Sequence, residues 1–184
     1  MNLFILIAVI VVVVMYSYYA TVIRNKNTVL EALSGIDVQL RKRYDLIPNV
    51  LTIAKKFMEH ETELFEKITQ LRTQASNAML GSKEKFQAEA QLDVQLKNLM
   101  LNVENYPELK SDATMVQAMK TYNEVEENIA AARRFYNSSV KILKNSIEIF
   151  PGTLFASFAG EAANLSYFET DVQSKQQIDA SKFL

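Results

Sequence analysis

The sequence has no cysteine, no tryptophan and one histidine among 184 residues, with only four glycines and three prolines. Without cysteine there is no disulfide, thiolate metal site, cysteine nucleophile or lipid on a lipobox cysteine. A single histidine excludes a multi-histidine metal site within one chain. The scarcity of Gly and Pro leaves little turn chemistry for a sheet protein. The plentiful Ala, Leu, Glu, Lys, Gln and Met favour helix, so the chain reads as all-α. A formal net charge of -1, with acids and bases interspersed, supplies no long-range positive field and argues against nucleic acid as a partner.

The strongest positive signal is at the N-terminus. No side chain charged at neutral pH occurs from Met1 to Ile23, and the run that begins at Leu3 is wholly apolar as far as Met15. A span of about 20 residues at 1.5 Å per residue matches a hydrocarbon core of roughly 30 Å. Tyr16, Tyr18 and Tyr19 stand where an interfacial aromatic belt would. A cleaved signal peptide fits poorly: no Lys or Arg precedes the run, and Tyr18 occupies the place of a small residue before Ala20. We therefore expect residues 1–23 to be a retained anchor, in contact with the bilayer through residues 3–23. Arg24, Lys26, Arg41, Lys42 and Arg43 follow it, which predicts an external N-terminus and a cytoplasmic helical domain at the inner membrane.

Beyond the span the apolar period stays helical, through Val29, Leu33, Ile36 and Leu40 to Ile47, Leu51, Ala54, Met58, Phe65 and Ile68. Pro48 removes the N–H that would bond to Tyr44. Either a kink lies there, or Asp45 caps a new helix with Pro48 in its first turn. Gly81 marks a stop, and Ser82 can cap a helix containing Phe86, Leu92, Leu96, Leu99 and Val103, ending before Tyr106-Pro107. Ser111 or Asp112 then opens a helix of nearly forty residues. In it Met115, Met119, Tyr122, Glu126, Ile129, Arg133, Tyr136, Val140, Leu143, Ile147 and Phe150 alternate four and three, a coiled-coil-like period. Such stripes bury against one another. The expected architecture is thus a transmembrane helix followed by a four-helix bundle of long, mainly antiparallel helices over residues 24–152. A tail over 153–184 would dock partly through Leu154, Phe155, Phe158, Tyr167 and Phe168, with the polar stretch 171–182 mobile.

Few residues suggest chemistry. His60-Glu61-Thr62-Glu63 does not complete H-E-x-x-H, because Leu64 holds the second histidine position. His60 reads as a boundary residue with one nitrogen in water. Two adjacent stripes converge on Glu61, which is expected to point inward and to be protonated, hydrogen-bonded or paired with a cation, Arg133 and Arg72 being the candidate partners. A polar pin that fixes helix register is the preferred reading. The alternative is a carboxylate enzyme or metal site around Glu61, although the Glu-x-x-His pairs of carboxylate-bridged metal bundles are missing. Asp37, Glu126 and Arg133 lie on stripes that can be drawn with them inside or at the edge. Arg41-Lys42-Arg43, about 27 Å beyond Ile23 if the helix continues, reads as a solvated face. No catalytic, cofactor-binding or metal-ligating residue is assigned, and no cofactor.

Several blocks together resemble the LemA family. These are Ile36-Asp37-Val38-Gln39-Leu40-Arg41-Lys42-Arg43-Tyr44-Asp45-Leu46-Ile47-Pro48-Asn49-Val50, His60-Glu61, Tyr106-Pro107-Glu108-Leu109, Ala132-Arg133-Arg134-Phe135-Tyr136-Asn137, Phe150-Pro151 and Tyr167-Phe168-Glu169, in that order. The resemblance implies a bacterial single-pass membrane protein with a four-helix bundle, an external N-terminus and two helices meeting at Pro48. It implies no catalytic activity or cofactor. Two departures stand out: Leu143-Lys144-Asn145 where a second Tyr-Asn often occurs, and Ala159-Gly160 where Gly-Phe is usual. The expected role is that of an interaction or scaffold protein whose helix faces bind another protein or another copy of itself.

Overall fold

A computed structural model describes residues 2–168, and the polar stretch 171–182 lies outside them. The described residues are helical and contain no strand. Five α-helices are followed by a 3₁₀ segment: α1 (Asn2–Ala54), α2 (Thr62–Asn77), α3 (Lys83–Val103), α4 (Pro107–Ser111), α5 (Ala113–Glu148) and Gly152–Asn164. The all-α reading holds, with a long apolar helix at the N-terminus.

The apolar run and the first bundle helix are one element, 53 residues long. Its early side chains from Leu3 to Val14 are exposed, and burial begins at Val22 and continues with Val29, Ala32, Leu33, Ile36 and Leu40. Hydroxyls in the apolar part return to their own helix: Ser17 Oγ donates to the Val13 carbonyl and Thr21 Oγ1 to that of Ser17, each at 2.8 Å. Pro48 does not end α1, contrary to the expectation of two helices meeting there. The helix ends six residues later, where Lys56 N donates to the Ile53 carbonyl and Phe57 N to that of Ala54 in a tightened last turn.

Among the described residues two compact units share these elements: 2–43 with 123–167, and 44–122 with Phe168. In the first unit Arg43 meets Glu126, Lys26 Nζ donates to the Phe158 carbonyl and Tyr19 packs on Phe155. Arg43 faces Glu126, whereas Lys26, earlier on α1, faces Phe158, later in the chain, so α5 runs antiparallel to α1. The period on α5 delivers its core here: Ile129, Tyr136, Val140 and Leu143 are buried. Leu143, one of the departures from the family pattern, is fully enclosed. The stripe then opens, with Ile147 half-buried and Phe150 75% exposed.

After α5, Gly152 tucks against the preceding turn, where a Cβ would stand 1.8 Å from the Ser146 carbonyl oxygen. Gly160 takes φ +59°, so the other departure falls at a bend that favours glycine. The segment docks chiefly through Ala159 and Ala162, while Leu154 and Phe158 remain largely exposed.

In the second unit α2 and α3 form a hairpin. Ser82 caps α3, its Oγ accepting from Lys85 N at 3.1 Å, and Gly81 turns with φ 81°. Asp112 Oδ1 accepts from Met115 N at 2.9 Å at the start of α5. Ile47, Met58, Ile68, Leu71, Leu92, Leu96, Leu99 and Leu109 form the enclosed core. Phe168 stacks on Phe86 with ring centroids 4.3 Å apart.

Candidate functional site

The buried polar groups fall into clusters whose origin can be traced residue by residue. The first follows from Pro48. Proline has no N–H, so the carbonyl four residues earlier, on Tyr44, loses its helical donor. Arg72 of α2 supplies the replacement, its Nε donating to the Tyr44 carbonyl at 2.7 Å. This guanidinium, one of the two candidate partners of Glu61, is instead used to mend α1.

The Tyr44 side chain is buried, and its hydroxyl donates to Oε1 of Glu89 on α3, which is fully enclosed. Lys85, one helical turn before Glu89, is also buried. Its Nζ donates to the Ala75 carbonyl at 3.1 Å and lies 5.6 Å from the centre of the Tyr44 ring. Ala75 belongs to the last turn of α2, where carbonyls lack intrahelical donors and the helix dipole favours a cation. Tyr44, Arg72, Lys85 and Glu89 thus bind three helices to one another. Glu89 was missed in the sequence, although it stands three residues after Phe86 and three before Leu92 on the buried side of α3.

The second cluster lies in the first unit. Arg43 is fully buried and its Nη1 contacts Glu126 Oε1 at 2.9 Å, with 29% of the Glu126 side chain exposed. This corrects the reading of Arg41-Lys42-Arg43 as a solvated face. Arg41 does face solvent, bonded to Asp37 at 2.7 Å, and Lys42 is exposed. Arg43 follows Ile36 by seven residues and Leu40 by three, so the helix carries it inward. Glu126 and Asp37, left ambiguous by the period, are partly buried acceptors for these two arginines. Further along α5 Tyr136 is enclosed, its hydroxyl donating to the Ser166 carbonyl at 2.8 Å. Burial pushes its phenol up to about 12.

Glu61 is not the inward carboxylate expected of it. The two stripes that converged on it assumed one helix from Ala54 to Ile68, but residues 55–61 are non-helical, and the break changes the phase. Glu61 is the residue before α2, half-buried, and Asn102 Nδ2 donates to its Oε2 at 3.1 Å. It borders a surface hollow with His60, Glu63, Leu64, Lys67 and Gln95. His60 itself is exposed. Arg133, the other candidate partner, belongs to the first unit and is half-buried on α5. No group of three or more acidic or histidine side chains able to hold a metal ion is found among the described residues.

These features define an all-α protein with an apolar N-terminal helix and polar pins between its long helices. The family model described as LemA family matches residues 32–182. The chain belongs to the LemA family. It is also similar to the protein named "Protein LemA" of Metamycoplasma hominis, 23% identical over 183 residues that cover 97% of this chain and 83% of that one. The matched region contains all the residues of both polar clusters.

Proposed function

We propose that this chain is an interaction protein held at a bacterial cell membrane by residues 3–23, with an external N-terminus and the helical units in the cytoplasm. The anchor reading rests on α1, which contains an 18-residue stretch of mean hydropathy 2.5 with none of it buried inside the protein. The orientation rests on the basic residues that follow the span, Arg24 and Lys26 first among them.

The observation that carries the interaction reading is a second apolar line on α5. Phe135, Ile142 and Ile149 recur every seven residues and are 54%, 52% and 65% exposed. A seven-residue repeat keeps to one side of a helix. While Tyr136, Val140 and Leu143 fill the unit's own core, this line faces outward and suits a helix of another protein or of a second copy. The polar clusters described above are engaged in hydrogen bonds between helices and serve to fix helix register.

Photo-crosslinking in cells tests this reading, with the crosslinker placed at Ile142 or at exposed Ala130, which lies about a third of a turn around the same helix from that line. Ile142 is expected to give a discrete adduct, of twice the chain's mass for self-association, and Ala130 none. Equal, diffuse labelling from both positions would remove the interaction reading. A reporter joined after Leu184 that is active only outside the cytoplasm would overturn the orientation.

A further inference from the structure

We infer that the turn and 3₁₀ segment after α5 form a second membrane contact, in which Phe150, Leu154 and Phe158 enter the boundary between headgroups and acyl chains beside the span. The inference rests on the anchor reading above and adds to it a peripheral element that places the domain against the lipid surface.

The antiparallel pairing sets the height of this segment. Arg43 contacts Glu126. From Glu126 to the end of α5 at Glu148 is about 22 residues, and the same number back along α1 from Arg43 reaches Thr21. The residues after Glu148 therefore stand at the level where the uncharged run gives way to Arg24 and Lys26. Direct contacts agree with the count. The Tyr19 ring lies 6.1 Å from that of Phe155 and 5.1 Å from that of Phe158, and Lys26 Nζ donates to the Phe158 carbonyl at 3.2 Å.

At this level the apolar side chains face outward. Phe150 is 75% exposed, Leu154 57%, Phe158 49% and the adjoining Tyr16 69%. In water such a patch would be costly, but here it is continuous with the lipid-facing surface of the span through Tyr19. Aromatic residues at the mouth of the span, with a cation on the polar side, match the chemistry of the bilayer interface. The α5 stripe turns outward at Phe150 because its next layer is lipid.

The full chain has no tryptophan, so one introduced tryptophan reports without background. Leu154→Trp, Ile10→Trp and Val38→Trp are each reconstituted in phosphatidylcholine–phosphatidylglycerol vesicles whose acyl chains carry bromine at a shallow or a deep position. Ile10→Trp is expected to be quenched most by deep bromine and Leu154→Trp most by shallow bromine. Val38→Trp, about 22 Å beyond Ile23 on the same helix, should be quenched by neither. Emission from Leu154→Trp like that of Val38→Trp, with Ile10→Trp still quenched, would overturn the second contact and leave the anchor standing. Blue-shifted emission from Leu154→Trp without quenching by either lipid would assign the patch to protein and overturn it as well. An unquenched Ile10→Trp would defeat the anchor reading and this inference together. Phe150→Trp replaces Leu154→Trp if the latter lowers the melting temperature, with the same expected outcomes.

Discussion

The dependence of Arg72 on Pro48 can be measured as a coupling between two positions 24 residues apart. In the parent chain Arg72→Met removes the guanidinium donor from the Tyr44 carbonyl, and Pro48 cannot replace it. A partly buried hydrogen bond from a charged donor is worth about 1–2 kcal/mol. That corresponds to a fall of about 2–8 °C in melting temperature for a chain of this size. In a Pro48→Ala background the alanine N–H can complete the helical bond to the same carbonyl, and Arg72→Met should cost less than half as much. The difference between the two costs is the coupling energy of the cycle, expected to be about 1 kcal/mol. Pro48→Ala alone should not destabilise the protein, because alanine is the better helix former by about 3 kcal/mol in a helix interior. Thermal melts of the detergent-solubilised full chain, followed by circular dichroism, supply all four values. An identical Arg72→Met cost in both backgrounds would show that the guanidinium does not stand in for the missing N–H.

Two further predictions concern the first unit. Glu126→Ala should cost about 2–3 kcal/mol, below the usual penalty for breaking a buried pair because Glu126 is partly exposed, and the double change Arg43→Met, Glu126→Leu should recover most of it in urea midpoints. Tyr136 has a folded-state pKa raised from 10.0 to about 12 by burial. Its contribution to stability is therefore complete below pH 10 and lost as the pH rises through 12. Over that window the parent should lose up to about 1.4 kcal/mol per pH unit more than Tyr136→Phe, and equal slopes would refute the assignment.

How far the sequence could be read depended on whether the helical phase was kept. On α5 an unbroken alternation of apolar spacings placed Met115, Tyr122, Ile129, Tyr136, Val140 and Leu143 in the core, and all are buried. Ser82 was legible because a serine before a helix has a local task that needs no tertiary partner. Around Glu61 the same reasoning failed, since nothing in the glycine- and proline-free residues 55–61 marks the break that resets the phase. Arg43 failed for a different reason. Its place on the stripe was visible, but its neighbours Arg41 and Lys42 made a basic run look solvated, and an enclosed guanidinium becomes tolerable through tertiary pairing such as that with Glu126. The Tyr44–Glu89 contact spans 45 residues and two helices, and no local pattern encodes such a partnership.

The hydroxyls of Ser17 and Thr21, folded back onto carbonyls of their own helix, have a consequence for how the anchor meets lipid. Having spent their hydrogen bonds internally, they demand no second helix and present nearly hydrocarbon flanks. On the anchor reading, the depth of the span is then set at its end, where Tyr16, Tyr18 and Tyr19 meet the bases Arg24 and Lys26, and not by polar groups within it.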